Sequence, residues 1–304
     1  MIVGELPGAE LHRRLGRAGL RVRIGPIVAE IRSPFDAVRS ALALHYAEHE
    51  AAGDDEFADF HVSVEPSGAL RRWIRPTATF RFENAPPFEP LPAEQAYPLL
   101  EWGLNWCVAT HCHQYLILHA AVLERSGRAL VLPAPPGSGK STLCAALVAR
   151  GWRLLSDELA LIDVDRGQVV PLPRPISLKN ASIALIRDFW PDATLSPAVH
   201  ETLKGSVAHL RAPADSVRRS AQRASPGWIV LPQYQPGLPA ALAPVSRGSA
   251  FMQLVESAFN YGMHGRRGFE TLAAFVEASD CLEFRYGGDL DAAVRSFETL
   301  AGPA

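Results

Sequence analysis

Residues 128–151, "RALVLPAPPGSGKSTLCAALVARG", restrict the fold more than any other stretch of the chain. An apolar run of strand character enters a turn with two glycines and a lysine. A run of good helix formers follows, and Gly151 closes it. Strand, glycine-bearing loop and helix, in that order, form a phosphate-holding loop. Its backbone amides and the helix N-terminus converge on an anion. The stretch fits G-x-x-x-x-G-K-[ST] with Ala134 in place of the first glycine. The expected nucleotide-binding set is Gly137, Ser138, Gly139, Lys140, Ser141 and Thr142. Lys140 reaches the outer phosphates and Ser141 offers its hydroxyl to Mg²⁺. Pro135 and Pro136 have no N–H, so donation starts at Gly137. ATP and Mg²⁺ are the expected cofactors.

The flanks add chemistry to the loop. Upstream, two apolar runs meet at Ser126-Gly127, a two-residue hairpin signal. If those residues are the turn, Arg125 faces Arg128 and His119 faces Ala134, the first residue of the loop. A one-residue slip would turn His119 to the other face. Downstream, "WRLLSDELALI" (152–162) predicts a strand that delivers Asp157 and Glu158 to the same end. Neighbouring acids point to different sides, so one can hold metal while the other takes a proton. A second hairpin turning at Asp165-Arg166-Gly167 predicts that Arg174 lies opposite Glu158 or Leu159, near the phosphates. Lys179, Lys204 and Arg211 are further cations, and Lys204-Gly205-Ser206 is a weaker candidate for a second anion clamp. Cys107, His111, Cys112, His113 and His119 follow no paired zinc spacing.

The first 90 residues read as a small α/β unit: strands on both sides of Gly25-Pro26, a helix within 34–51, and strands at 57–66 and 78–84, with 70–75 between them. Five prolines in the 14 residues 85–98 deny helix and sheet a run, which places the domain boundary there, with units 1–90 and 91–304. The second unit predicts a helix at 99–114 and a strand at 227–233. Helices at 248–261 and 267–279, a strand at 281–287 and a helix at 289–300 capped by Asp289 follow. The segment 216–225 reads as a polar surface loop.

Composition excludes several partner classes. Thirty basic and 32 acidic side chains leave a formal charge of -2, so no basic field points to nucleic acid or an anionic membrane. No apolar run approaches the ~18 residues of a membrane span. The first 20 residues lack a signal-peptide core, and four cysteines show no disulfide-scaffold spacing. The expectation is a cytoplasmic, reduced protein.

A histidine on a strand, a hairpin back into "APPGSGKST" (134–142), then "RGWRLLSDE" (150–158) resembles the catalytic domain of HPr kinase/phosphorylase, over roughly residues 118–180. The C-terminal half, with "LKGSVAHLRAP" (203–213) and "ESAFNYGMHGRRGFETL" (256–272), is similar to HPr-kinase-related proteins found beside peptide-modification genes. The resemblance implies an α/β fold with a P-loop kinase core of the HPr kinase/phosphoenolpyruvate carboxykinase-like type. That core is a mixed sheet with flanking helices, behind a small N-terminal α/β domain. It implies a serine or threonine hydroxyl on a peptide or small protein as phosphate acceptor, and assembly into homo-oligomers. His119 and Asp157 would handle the proton, and Glu158 would join Ser141 and Asp157 at the metal. The second acid is Glu where the family has Asp, and a glycine-rich segment tied to phosphorolysis is absent downstream, which favours the forward kinase reaction. A small-metabolite kinase and a nucleotide-binding regulatory module without transfer remain open alternatives.

Overall fold

The computed structural model describes residues 1–68, 76–135 and 137–302; the stretch 70–75 expected between two strands lies outside them. The N-terminal unit opens with helix α1 (Gly8–Arg13), β1 (Leu20–Ile24), β2 (Ile27–Arg32) and α2 (Asp36–His45). It continues through β3 (Phe60–Pro66), β4 (Thr77–Phe82) and β5 (Leu91–Pro92) into α3 (Ala96–His111). The five strands form one sheet in sequence order, with β1 turning into β2 at Gly25-Pro26 and β2 running parallel to β3. Leu20, Val22 and Ile24 alternate inward along β1, as a half-buried strand requires. The sheet packs on α2 and α3 through Leu42, Val62, Phe80, Leu99, Leu100 and Leu104. Gly103 lets Phe80 lie against the α3 backbone, since a Cβ there would come 2.1 Å from the ring. The proline-rich stretch carries β5, and the apolar core continues past it into Ile117, Leu159, Leu161 and Leu172.

The remaining chain builds a mixed sheet from β6 (Tyr115–Arg125), β7 (Arg128–Pro133), α4 (Lys140–Ala149), β8 (Arg153–Ser156), β9 (Leu159–Asp163) and β10 (Val169–Val170). A three-stranded sheet of β11 (Ile176–Lys179), β12 (Val199–Thr202) and β13 (Gly205–Leu210), with α5 (Ala181–Phe189), stands beside it. Next come α6 (Ala214–Arg218), β14 (Ser225–Tyr234), β15 (Ala241–Pro244), α7 (Arg247–Glu256), α8 (Tyr261–Glu277), β16 (Asp280–Tyr286) and α9 (Leu290–Ala301). The main sheet runs β10-β9-β6-β7-β14-β16-β15, with β8 also on β6. β7, β14 and β16 are parallel, while β6 and β15 pair antiparallel on either side of them. Helices α4 and α9 cover one face through Leu143, Leu147, Val294 and Phe297. Helices α7 and α8 cover the other through Leu254, Leu272, Phe275 and Val276. The chain is therefore an α/β protein with mixed sheets and flanking helices. Among the described residues no helix is long and apolar enough to cross a membrane.

Three expectations change. The strand expected to end in Asp157-Glu158 stops just before them, at Ser156, and beyond the bend that they form β9 takes up the pairing with β6 again at Leu159. The helix expected at 248–261 stops at Glu256, and α8 starts at Tyr261 with an interruption at Gly265 (φ 53°). The polar segment 216–225 is tied down, since the carbonyls of Arg219 and Gln222 accept from Arg153 at 2.9 Å each.

Three buried histidines lie where the N-terminal unit meets the rest of the chain. His45 of α2 stacks on Tyr97 of α3 at 5.5 Å, and His209 of β13 meets Tyr97 edge-on at 4.9 Å. His49 faces the Pro173 carbonyl at 2.9 Å. Burial pulls each ring from 6.5 down to about 4, against the opposing pull of Glu101. The unfolded chain binds these protons near pH 6.5 and the folded chain only near pH 4. Stability is therefore complete above the higher value and is lost as pH falls toward the lower one, by up to about 3 kcal/mol per ring. The thermal midpoint is expected to fall steeply between about pH 6.5 and pH 4. His45→Phe, which keeps the stack on Tyr97, should flatten that fall; an unchanged slope would remove His45 as a cause of it.

Candidate functional site

The site forms where β7 gives way to α4. Gly137 (φ 88°) and Gly139 (φ 86°) occupy the left-handed region, which a Cβ penalises. At Gly139 the constraint is also steric: a Cβ would stand 2.0 Å from the Tyr286 hydroxyl, which donates to the Gly139 carbonyl at 3.1 Å. Leu143 N–H donates to the Gly139 carbonyl, starting α4. Lys140, buried, donates to the Ala134 carbonyl at 2.6 Å and so closes the loop on itself. Ser138 has a buried hydroxyl without a partner among the described residues, and Thr142 is half-buried in the first turn of α4.

The β6–β7 hairpin pairs Arg125 with Arg128 and Ala120 with Pro133, as the turn at Ser126-Gly127 predicts. Both turn residues have positive φ (53° and 80°), the requirement of the tight turn that matches strand twist. His119 thus stands beside the loop, its Nε2 3.2 Å from Lys140 Nζ and its Nδ1 3.7 Å from Glu158 Oε2. Its backbone N–H donates to Ser257 at 2.7 Å, and Phe259 lies edge-on to its ring.

Asp157 and Glu158 occupy the bend between β8 and β9, where Ser156 pairs with Val122 and Leu159 with His119. The bend turns the two acids apart. Asp157 Oδ2 accepts from the Ser141 hydroxyl and from the Ser177 backbone N–H, both at 3.1 Å. Its Oδ1 is buried without a partner among the described residues. Glu158 faces His119 and Lys179, whose Nζ is 3.7 Å away. Burial and the Glu158 charge push the Asp157 carboxyl up to about 7, against the Ser177 amide, Lys179 and the Ser141 hydroxyl. Burial would raise Glu158 too, but Lys179, His119, Lys204 and Lys140 hold it below its ordinary value. The His119 ring is lowered by burial and by the Lys140 charge, and burial lowers Lys140 itself. Two adjacent acids are thereby driven in opposite directions, a pattern that separates acid and base roles.

Arg174 lines a cavity with Asp157 and Glu158, as its expected place near Glu158 requires, but among the described residues it makes no hydrogen bond or ion pair with Glu158 or the loop. β10 ends at Val170, paired with Leu161, and Pro171, Pro173 and Pro175 cannot extend the ladder. The Arg174 guanidinium instead donates to Glu101 Oε2 at 2.6 Å, to the Glu101 carbonyl at 2.8 Å and to Asn105 Oδ1 at 2.6 Å. Tyr46 completes the group by donating to Glu101 Oε1 at 2.8 Å. A cavity of about 20 Å³, room for roughly one water, separates this cluster from Asp157, Glu158 and Ser177.

Of the other predicted groups, Lys204 stays near Glu158 and the rest scatter. Lys204 lies 5.1 Å from the Trp102 ring, and Arg211 pairs with Glu48 at 2.9 Å. The proposed clamp has lost its amide, because Ser206 N–H donates to Asn180 Oδ1. Cys107 and Cys112 are buried in the N-terminal core, and His111 stacks on Phe82. Among the described residues no group of three or more His, Cys, Asp or Glu side chains is placed to hold a metal. Ser177, Tyr286 and Glu101 carry the site without any local signal in the sequence. No family model matches the chain, and a search of curated proteins finds no match.

Arg174→Met would leave Glu101 buried without its cation, at a cost of about 3–5 kcal/mol. We expect the denaturant midpoint to fall accordingly, and Arg174→Met with Glu101→Leu to recover most of it. A single variant of wild-type stability would show that Arg174 is held for another purpose.

Proposed function

We infer that the chain is an ATP- and Mg²⁺-dependent kinase with an HPr-kinase-like P-loop core, and that it transfers the γ-phosphate to a serine or threonine hydroxyl of a peptide or small protein. In this reading residues 1–90 are an accessory domain, completed by β5 and α3 from the start of the second unit, and residues 91–304 otherwise form the catalytic one. The acceptor class rests on the family resemblance. The observation that carries the reading is Asp157: a buried carboxylate joined to the hydroxyl of the loop's Ser141, with one oxygen left over, beside a histidine that touches the loop lysine.

The donors suit Mg²⁺, a hard cation that takes oxygen ligands and retains waters. Ser141 Oγ and Asp157 are already joined by a hydrogen bond, and the spare Asp157 Oδ1 supplies what an ion would need. Glu158 faces His119 and Lys179, so its share in metal binding is the lesser one. When bound, Mg²⁺ neutralises charge on the phosphate oxygens. The loop amides from Gly137 onward and Lys140 hold the triphosphate in line for attack. Lys140 must leave the Ala134 carbonyl to do so, and His119 guides it at 3.2 Å. The acceptor oxygen bonds to the γ-phosphorus as the bond to the bridging oxygen breaks, ADP departs, and the hydroxyl proton passes to Asp157 or His119.

Incubation with γ-labelled ATP, Mg²⁺ and candidate peptides, followed by mass mapping, should locate a phosphorylated serine or threonine. Asp157→Asn and His119→Gln, made separately, are each expected to slow transfer by about 100-fold or more, with metal-free ATP affinity changed by less than about threefold. Lys140→Ala should lose affinity itself. If slow ATP turnover and transfer survive in both the Asp157 and His119 variants, the transferase reading fails and a non-transferring nucleotide-binding module stands in its place.

A further inference from the structure

The other end of the central sheet carries a second polar pocket. It opens where β6 turns into β7 and where α4 ends, opposite to the phosphate loop, with a volume of about 590 Å³. That size lies in the range of small-molecule sites. Arg125, Arg150, Arg153 and Arg219 line it, against two carboxylates, Glu124 and Asp215.

Three of the four arginines are engaged. Arg153 donates to Glu124 and to two backbone carbonyls. Arg219 pairs with Asp215 at 3.0 Å, and Arg150 with Asp291 at 3.1 Å. Arg125 differs. No hydrogen bond or ion pair holds its guanidinium among the described residues, and its Nε is buried without a partner. Its guanidinium carbon sits 5.8 Å from the centroid of the Trp152 ring. Trp152 is only 1 % exposed, and its indole N–H is likewise without a partner. A buried donor left unmade costs stability, so an unpaired guanidinium and an unpaired indole N–H in one pocket point to an absent acceptor.

We propose that this pocket binds a small phosphate monoester through Arg125. The lining holds an excess of two positive charges. A phosphate monoester brings about -1.5 to -2 at pH 7. Its oxygens match the guanidinium fork, which lies near the Trp152 indole. A ligand here touches the far ends of the elements that carry the nucleotide site: Arg125 ends the strand that bears His119, Arg150 follows the helix that starts at Lys140, and Arg153 opens the strand that leads to Asp157. The site needs no assumption about phosphate transfer.

The test is calorimetric titration at low salt with glycerol 3-phosphate, on the full chain carrying Lys140→Ala to silence the phosphate loop. Saturable 1:1 binding is expected, weakened about tenfold or more by adding Arg125→Gln. Arg125→Lys should restore part of it. Arg125 makes no hydrogen bond among the described residues, so the variant should keep its thermal midpoint; should it not, the half-exposed Arg150→Gln is expected to weaken binding about threefold or more. Absence of saturable binding, or affinity unaltered in the folded variants, overturns the proposal. Succinate binding as tightly as glycerol 3-phosphate overturns the phosphate class.

Discussion

The register of β6 is the constraint on which the site depends. Ser126 and Gly127 both adopt positive φ, so the turn is two residues long and the pairing of β6 with β7 has no freedom to slip. On its other edge β6 pairs with β8 and β9 in turn, and the two residues between them form the bend. One strand therefore sets the position of His119 against the loop and of the two acids against His119. Its side chains alternate between faces: Leu116, Leu118, Ala120 and Val122 pack toward α7 and α8, while Ala121 and Leu123 pack toward α4. A slip would turn the imidazole away from the loop toward α7 and α8 and exchange these two apolar sets.

The electrostatics of the site follow from that geometry. Asp157 is sealed in beside the helix, where the loss of water outweighs its two hydrogen bonds. Glu158, one residue on, lies among three lysines, Lys179, Lys204 and Lys140, and the His119 ring. Position along the bend thus decides which acid carries charge, though the two side chains are adjacent in sequence. The Glu101–Arg174–Tyr46 group works at a different level, tying α2 and α3 of the N-terminal unit to the segment after β10. A lone buried charge would be costly, and the three groups satisfy one another.

Local signals accounted for much of this arrangement. The strand, glycine loop and helix are legible in residues 128–151, as are the hairpin that pairs Arg125 with Arg128 and the Asp289 cap of α9, whose side chain accepts from Ala292. These features depend on backbone preferences within a few residues. The misread stretches are those where distant pairing decided the outcome. Asp157 and Glu158 do end a strand, but sequence does not show that β6 is long enough to pair on both sides of the bend. Arg174 lies beyond a ladder that stops at Val170, where the flanking prolines end it.

The sequence by itself determined that a strand, a glycine-bearing loop and a helix follow one another and that a histidine and two acids lie near them in the chain. Short-range turn chemistry and alternation are enough for that. Only the tertiary structure decided that Ser141 and the Ser177 amide share Asp157, that Glu158 turns to Lys179, and that Arg174 belongs to Glu101. Each of these joins residues from different elements, 16 to 73 positions apart. Their partners are chosen by burial and charge satisfaction in the assembled core, which no local window of sequence contains.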